Sequence, residues 1–185
     1  MYLRFLFLDL GDITSMEHVH RRVYTPQRHP ENPILQGEND WERFASLYGT
    51  VLRDPQDGTF KMWYLTGPQK DSFVQIRGRR ALGNCTLLGY AESHDGVRWH
   101  KPVLNQVDVA GSTANNLIDV GRSNCEGFAV LYDQRDPDPQ RRYKGFYWEH
   151  GGTDTFVEHE GRLIWGQGKG DGMWMAVSPD GLRWD

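Results

Sequence analysis

Apolar residues in this chain come in short runs separated by turn-forming residues. Residues 46–53, 60–66, 86–92 and 97–103 are rich in β-branched and aromatic side chains, and they are too short for helices. Between them stand Asp54-Pro-Gln-Asp-Gly58 and His94-Asp-Gly96. Pro fixes φ and Gly accepts positive φ, which is what a reversing turn requires. The same rhythm returns at 128–132 and 143–148, in a strand ending near Ser178 and in another starting near Leu182. No stretch carries the spacing of an amphipathic helix. Residues 13–23 come nearest, and their apolar positions are sparse. The apolar run at residues 1–8 is followed at once by Asp9 and Asp12. It is too short for a signal peptide and has no small-residue cleavage site, so it reads as a strand. The pattern predicts an all-β fold.

The strands repeat. Gly89-Tyr-Ala-Glu-Ser-His-Asp-Gly-Val-Arg-Trp99 is echoed by Trp174-Met-Ala-Val-Ser-Pro-Asp-Gly-Leu-Arg-Trp184. Phe60-Lys-Met-Trp-Tyr64 is echoed by Tyr143-Lys-Gly-Phe-Tyr147, and Val51-Leu-Arg-Asp54 by Val130-Leu-Tyr-Asp133. The three blocks keep their order, and the offset changes by a few residues, as loop insertions produce. Four antiparallel strands per copy make a propeller blade. The predicted organisation is a single domain over 1–185 with blades at about 46–104 and 126–185, and residues 1–45 contributing to a further blade. In the shared Ser-x-Asp-Gly-x-x-Trp motif the Asp carboxylate accepts backbone N–H groups, Gly takes the left-handed position and Trp packs between blades. Asp95 and Asp180 are therefore expected to lock turns, and Asp54 likewise.

Composition narrows the function. The chain has 185 residues, with 21 Lys+Arg against 25 Asp+Glu and a net charge of -4. This balance gives no footprint for nucleic acid or an anionic membrane, and no apolar run approaches a membrane span. Arg77-Gly-Arg-Arg80 reads as a surface loop within an insertion. Gly166-Gln-Gly-Lys-Gly-Asp-Gly172 precedes a strand rather than a helix, so it is not a phosphate loop. His18, His20 and His29 lack the carboxylate partners of a metal site, and no cofactor is expected. Cys85 and Cys125 are not in a CxxC arrangement; they are read as two buried thiols, with a single bridge as the alternative. Trp63, Trp148 and Trp174 are read as packing residues. Localisation is left open, with the cytoplasm favoured because no signal peptide is seen.

Several segments together resemble the five-bladed β-propeller glycosidases of the family 32/43 type, in particular their bacterial relatives. They are Phe7-Leu-Asp9, His29-Pro-Glu-Asn-Pro-Ile-Leu35, Trp41-Glu42, Tyr48-Gly-Thr-Val51, Phe60-Lys-Met-Trp-Tyr64 and Ser93-His-Asp-Gly96, followed by Asn115-Asn-Leu-Ile118, Asp136-Pro-Asp-Pro139, Arg142-Tyr-Lys144 and Ser178-Pro-Asp-Gly181. Mannoside phosphorylases, similar over Asn-Pro-Ile-Leu, are the competing relatives. The resemblance implies hydrolysis of glycosidic bonds in a central funnel by two carboxyl groups, one protonating the leaving oxygen and the other attacking or activating water. It places the first-blade acid at Asp9 or Asp12 and the third-blade acid at Glu126. The second-blade strand begins Tyr48-Gly-Thr50 and carries no acid there. Arg21, Arg22, His29, Trp41 and Tyr48 are the expected contacts to an oligo- or polysaccharide, Trp41 as a stacking platform. The alternatives are a non-catalytic carbohydrate-binding propeller, or a fragment inactive alone. A ring of five blades needs more than 185 residues at roughly 40–60 per blade. A partial propeller is therefore expected, either truncated or closing by self-association that covers its open edges.

Overall fold

The computed structural model describes the chain apart from residues 1–10, 12, 70–71, 77–78, 83–84, 122–123, 150–155, 160–161 and 166–171. It divides into two compact units, residues 1–30 and 31–185. The described part of the first unit runs as turns, bends and irregular backbone. Its Arg22 guanidinium lies 4.8 Å over the Tyr24 ring. The strand expected at residues 1–8 lies outside the described residues.

The second unit is all-β. In chain order its strands are β1 (Ser46–Arg53), β2 (Phe60–Thr66), β3 (Phe73–Ile76), β4 (Arg79–Leu82), β5 (Leu87–Ser93), β6 (Asp108–Val109), β7 (Leu117–Ile118), β8 (Cys125–Tyr132), β9 (Tyr143–Glu149), β10 (Phe156–His159), β11 (Arg162–Trp165) and β12 (Gly172–Ser178). The described residues hold no α-helix, only a 3-10 turn at Pro139–Arg141 capped by the Asp138 side chain. Two larger sheets carry the two copies of the sequence repeat. Sheet I has the order β1-β2-β5-β7, and sheet II the order β12-β9-β8. Smaller pieces sit at matching places, with hairpin β3–β4 between β2 and β5 and hairpin β10–β11 between β9 and β12. All pairings are antiparallel.

The motif turns repeat almost bond for bond. Ser93 Oγ accepts the N–H groups of Asp95 (3.2 Å) and Gly96 (2.9 Å), and Asp95 Oδ1 accepts those of Val97 and Arg98, both at 2.8 Å. In the second copy Ser178 Oγ accepts from Asp180 (3.2 Å) and Gly181 (2.9 Å), and Asp180 Oδ1 from Leu182 (2.8 Å) and Arg183 (2.9 Å). Gly96 and Gly181 take φ of 76° and 79°, the left-handed region where a Cβ is strained. Each motif Trp donates its indole N–H to the carbonyl of its own turn glycine, at 3.2 Å in the first copy and 2.9 Å in the second. The backbone N–H groups of Arg98 and Val97 hold the Asp95 carboxyl down to about 2. Burial pushes the Asp180 carboxyl up, but the Arg183 and Leu182 N–H groups and the Ser178 hydroxyl outweigh it and leave it below the ordinary value. Both residues are the turn locks the motif predicts.

Two strand expectations are corrected. Residues 97–103 form no strand. Asp95 captures the N–H groups of Val97 and Arg98 and Pro102 has none, so the return is one bridge, Glu92 with His100. The fourth strand of sheet I is instead β7, paired with Leu88 and Gly89. The second copy closes its turn in the same way, through paired bonds between Val177 and Asp185 at 2.8 and 3.0 Å, and its sheet has three strands. The basic run is also more ordered than a loop, since Arg79 and Arg80 open β4. The loop expected at 166–172 lies outside the described residues up to its last glycine, which begins β12.

The sheets pack face to face. The back of sheet I brings Trp63, Leu88 and Tyr90 against Phe128, Tyr143, Tyr147, Ala176 and Trp184 on the front of sheet II. Trp63 is the centre of this core. Its ring lies 5.8 Å from Tyr90, 6.2 Å from Tyr143 and 6.5 Å from Trp184, and its indole N–H reaches the Gly181 carbonyl at 2.7 Å. The front of sheet I, with Met62, Tyr64 and Ala91, is covered by Leu35, Ala45 and Trp99.

Candidate functional site

The first strands of the two sheets lie against each other, with the Val130 N–H on Thr50 Oγ1 at 2.9 Å. Each is irregular at the corresponding point. The ladder of β1 with β2 shifts between Ser46 and Thr50, and that of β8 with β9 shifts between Glu126 and Ala129. Gly127 has φ of 65°, the left-handed conformation that a bulge glycine supplies. Such bulges re-aim neighbouring side chains. Here they bring Tyr48 of β1 and Glu126 of β8 to one open groove of about 430 Å³, lined also by Gly127, Trp148 and Met173. Glu126 faces Trp148 across the ladder, and Trp148 faces Met173.

The groove thus offers one carboxylate, one phenol, one indole and a thioether. An indole or phenol face takes the C–H face of a sugar ring, and the phenol and carboxylate take its hydroxyls. Directly beneath, Cys125 is buried and pairs with Glu149, which is itself fully buried. Burial drives the Cys125 thiol well above its ordinary value, and the charges of Glu149 and Glu126 add to the rise. Burial likewise pushes the Cys85 thiol up to about 12. Both cysteines are free and buried, so neither is a nucleophile at neutral pH.

Of the expected site residues, the structure brings Tyr48 and Glu126 together. Trp41 lies elsewhere. It packs on the second core cluster, among Val74, Ile76, Val107 and Leu117, and donates its indole N–H to Asn116 Oδ1 at 2.9 Å. Arg21, Arg22 and His29 belong to the first unit, where all three are exposed. Asp9 and Asp12 lie outside the described residues. Trp148, read from the sequence as a packing residue, is the groove residue that site reasoning missed, and Glu149 is the buried acid behind it. Alternation along Tyr143-x-Gly145-x-Tyr147-x-Glu149 marks Glu149 as an acid on the inward face, and that signal was legible.

A second polar cluster is structural. Glu42, nine-tenths and more buried, accepts the Tyr64 hydroxyl on Oε1 and the Lys101 ammonium on Oε2 at 2.5 Å. Asn116 Nδ2 donates to the Tyr64 hydroxyl at 2.7 Å and to the Tyr90 carbonyl at 2.8 Å. Burial, with the Glu42 carboxylate as acceptor, raises the Tyr64 phenol far above its usual range. Its charges are paired and its polar atoms matched, so the cluster bolts the 31–45 segment onto sheet I.

The described residues contain no group of three or more metal-ligating side chains, and no helix long and apolar enough to cross a membrane. Comparisons with family models, with curated proteins and with solved structures return no match.

Proposed function

We propose that this chain is a carbohydrate-active protein of the propeller type, with sheets I and II as consecutive blades. The sugar-binding site is the groove of Tyr48, Glu126, Trp148 and Met173. The observation that carries the reading is the pair of matching bulges, which turn Tyr48 and Glu126 into one groove lined also by an indole. In its hydrolytic form, the Glu126 carboxyl protonates the leaving glycosidic oxygen. The family resemblance supports this reading through the blade repeat and the segments that carry it.

A second reading is a binding module without catalysis. It is favoured by the groove lining, which among the described residues includes one carboxylate, whereas glycoside hydrolysis takes two. The two readings are separated by assaying release of aryl groups from a panel of aryl glycosides and of reducing sugar from glycans. In parallel, Trp fluorescence follows binding of the same glycans. Hydrolysis abolished by Glu126→Gln with binding retained supports the hydrolase. Binding without hydrolysis in either protein supports the module. Failure of Trp148→Ala to weaken binding overturns the groove assignment.

A further inference from the structure

The segments that enter the two sheets also repeat. Asn32-Pro-Ile-Leu-Gln36 is echoed by Lys101-Pro-Val-Leu-Asn-Gln106. Leu35 packs with Trp99 on the front of sheet I, and Leu104 packs on the core cluster that holds Trp184. Each entry segment therefore meets the return of a motif turn, and a pocket opens at each meeting. The first is about 300 Å³ and is lined by Lys101 itself. The Lys101 ammonium ends on the Gln36 carbonyl at 2.6 Å and on Glu42 Oε2 at 2.5 Å. The second is about 640 Å³. Its apolar wall is Leu104, Leu182 and Trp184, and its charged residues are Asp119, Asp180, Asp185 and Arg183. The backbone matches, since Asp185 pairs with Val177 as His100 pairs with Glu92. Asp119 stands in the place of Glu42. Tyr64 and Tyr147 are repeat partners; the Tyr64 hydroxyl donates to Glu42, and the Tyr147 hydroxyl donates at 3.4 Å to the carbonyl of Val120, next to Asp119.

We infer that the second pocket is a docking site for an extended polypeptide segment that presents a lysine followed by proline and an aliphatic residue, as Lys101-Pro-Val103 does in the first. The ligand chemistry comes from the repeat. The first copy shows the equivalent pocket holding an ammonium on a carboxylate and a backbone carbonyl. Charge agrees with it. Three acidic residues line the second pocket against one basic residue, the exposed Arg183, so a cation is attracted. Shape agrees as well. A lysine lays its four-carbon stem along apolar surface while its ammonium stays on polar groups, and here Leu104, Leu182 and Trp184 supply the surface. Proline after the lysine keeps the lysine backbone extended, the form in which Lys101 follows the His100 bridge. The pocket shares no lining residue with the groove of Tyr48 and Glu126, so the inference stands apart from what that groove binds.

The probe is an acetylated and amidated peptide with the sequence of His100 to Leu104. Its binding is followed by heteronuclear NMR of the Trp184 indole N–H and the Gln106 side-chain amide. Saturable shifts with a Kd of about 0.1–1 mM are expected, and their absence overturns the proposal. Norleucine in place of the peptide's lysine is expected to weaken binding about three- to tenfold, and added salt to weaken the lysine peptide alone. Equal binding of the two peptides overturns the assignment to a cation. Equal binding of n-butylammonium overturns the assignment to a polypeptide segment. Asp119→Asn keeps an acceptor for the Gly121 N–H, bonded at 2.5 Å, so the loop is expected to hold its fold while the preference for lysine is lost. Asp185→Asn, at an exposed position, makes the same test without touching that loop. A lysine preference unchanged in both variants overturns the assigned site.

Discussion

Sheets I and II use the same devices and differ in what surrounds them. Both begin with a bulged strand, both place a Lys two positions into the second strand, and both end in the Ser-x-Asp-Gly turn. In sheet I the Lys61 ammonium bridges Asp54 at 2.5 Å and reaches the Tyr143 hydroxyl of sheet II at 3.1 Å. In sheet II, Lys144 meets Asp133, and the place across the interface is taken by Asp136 from its own loop. One pattern thus serves as an inter-sheet tie where a neighbouring sheet is present and as a self-contained ion cluster where, among the described residues, none is seen. The difference teaches that one residue pattern serves two environments, with Lys61 tying the sheets together and Lys144 held by acids of its own sheet and loop.

The largest break in this comparison is at the aligned pair Trp63 and Phe146. Trp63→Ala removes a fully buried indole, its ring contacts and its bond to the Gly181 carbonyl, and is expected to cost about 3–5 kcal/mol. Phe146→Ala, on the open face, is expected to cost about 1 kcal/mol or less at low protein concentration. Urea melts of both variants check this. Equal losses would mean that the back of sheet II is as tightly packed as that of sheet I.

The repeat made most of this architecture legible in the sequence, because a residue pattern with period two and a turn code are local. β1 and β2 fall where their residue patterns place them, and the Asp95 and Asp180 locks follow from the motif alone. Long-range competition hid the rest. The 97–103 run has strand composition, but Asp95 consumes its first two N–H groups, and a two-residue strand, Leu117–Ile118, takes the edge of sheet I. Trp41 follows a polar run and reads as a platform. Its fate depends on Asn116, far along the chain, which holds its indole N–H. The groove was half legible. Glu126 and Tyr48 stand out as strand openers, whereas Trp148 joins them only through the register of β8 on β9.

The fronts of the two sheets sharpen the comparison. Sheet I has Met62 where sheet II has Gly145, and a Cβ at Gly145 would collide with the Phe128 ring and stand 2.9 Å from Trp184. Gly145→Met, which copies the first repeat into the second, is expected to destabilise by about 1–3 kcal/mol through overpacking, and thermal melts read this directly. Acid acts next. Burial pushes the Asp54 carboxyl up, but the Lys61 ammonium, the Tyr143 hydroxyl and the Gln56 N–H outweigh it and hold it below the ordinary carboxylate value. A carboxylate lowered in the folded state stabilises above its unfolded value, and that contribution is lost as pH falls through the folded one. Stability is therefore expected to be flat at mildly acidic pH and to fall once the pH drops below about 4. Asp54→Asn should start lower and decline less steeply. A variant with the same acid slope as the parent would remove Asp54 from the inter-sheet tie.

The finest distinction lies between the two motif turns, whose hydrogen bonds match to within 0.1 Å at each of the four backbone positions. Each Asp side chain satisfies two backbone N–H groups, so Asp180→Ala leaves two donors open and is expected to cost about 0.5–2 kcal/mol, as loss of a cap does. Asp95→Ala breaks the same bonds, but water reaches that turn, whereas the Gly181 carbonyl also receives the indoles of Trp63 and Trp184. The loss at Asp95 is therefore expected to be the smaller of the two. Amide hydrogen exchange adds a local readout. In Asp180→Ala, faster exchange should extend from Leu182 and Arg183 to the Trp63 indole N–H, which is held by the same turn. In Asp95→Ala it should stay confined to Val97, Arg98 and the Trp99 indole. Equal spread in the two variants would show that the second turn carries no share of the contact between the sheets.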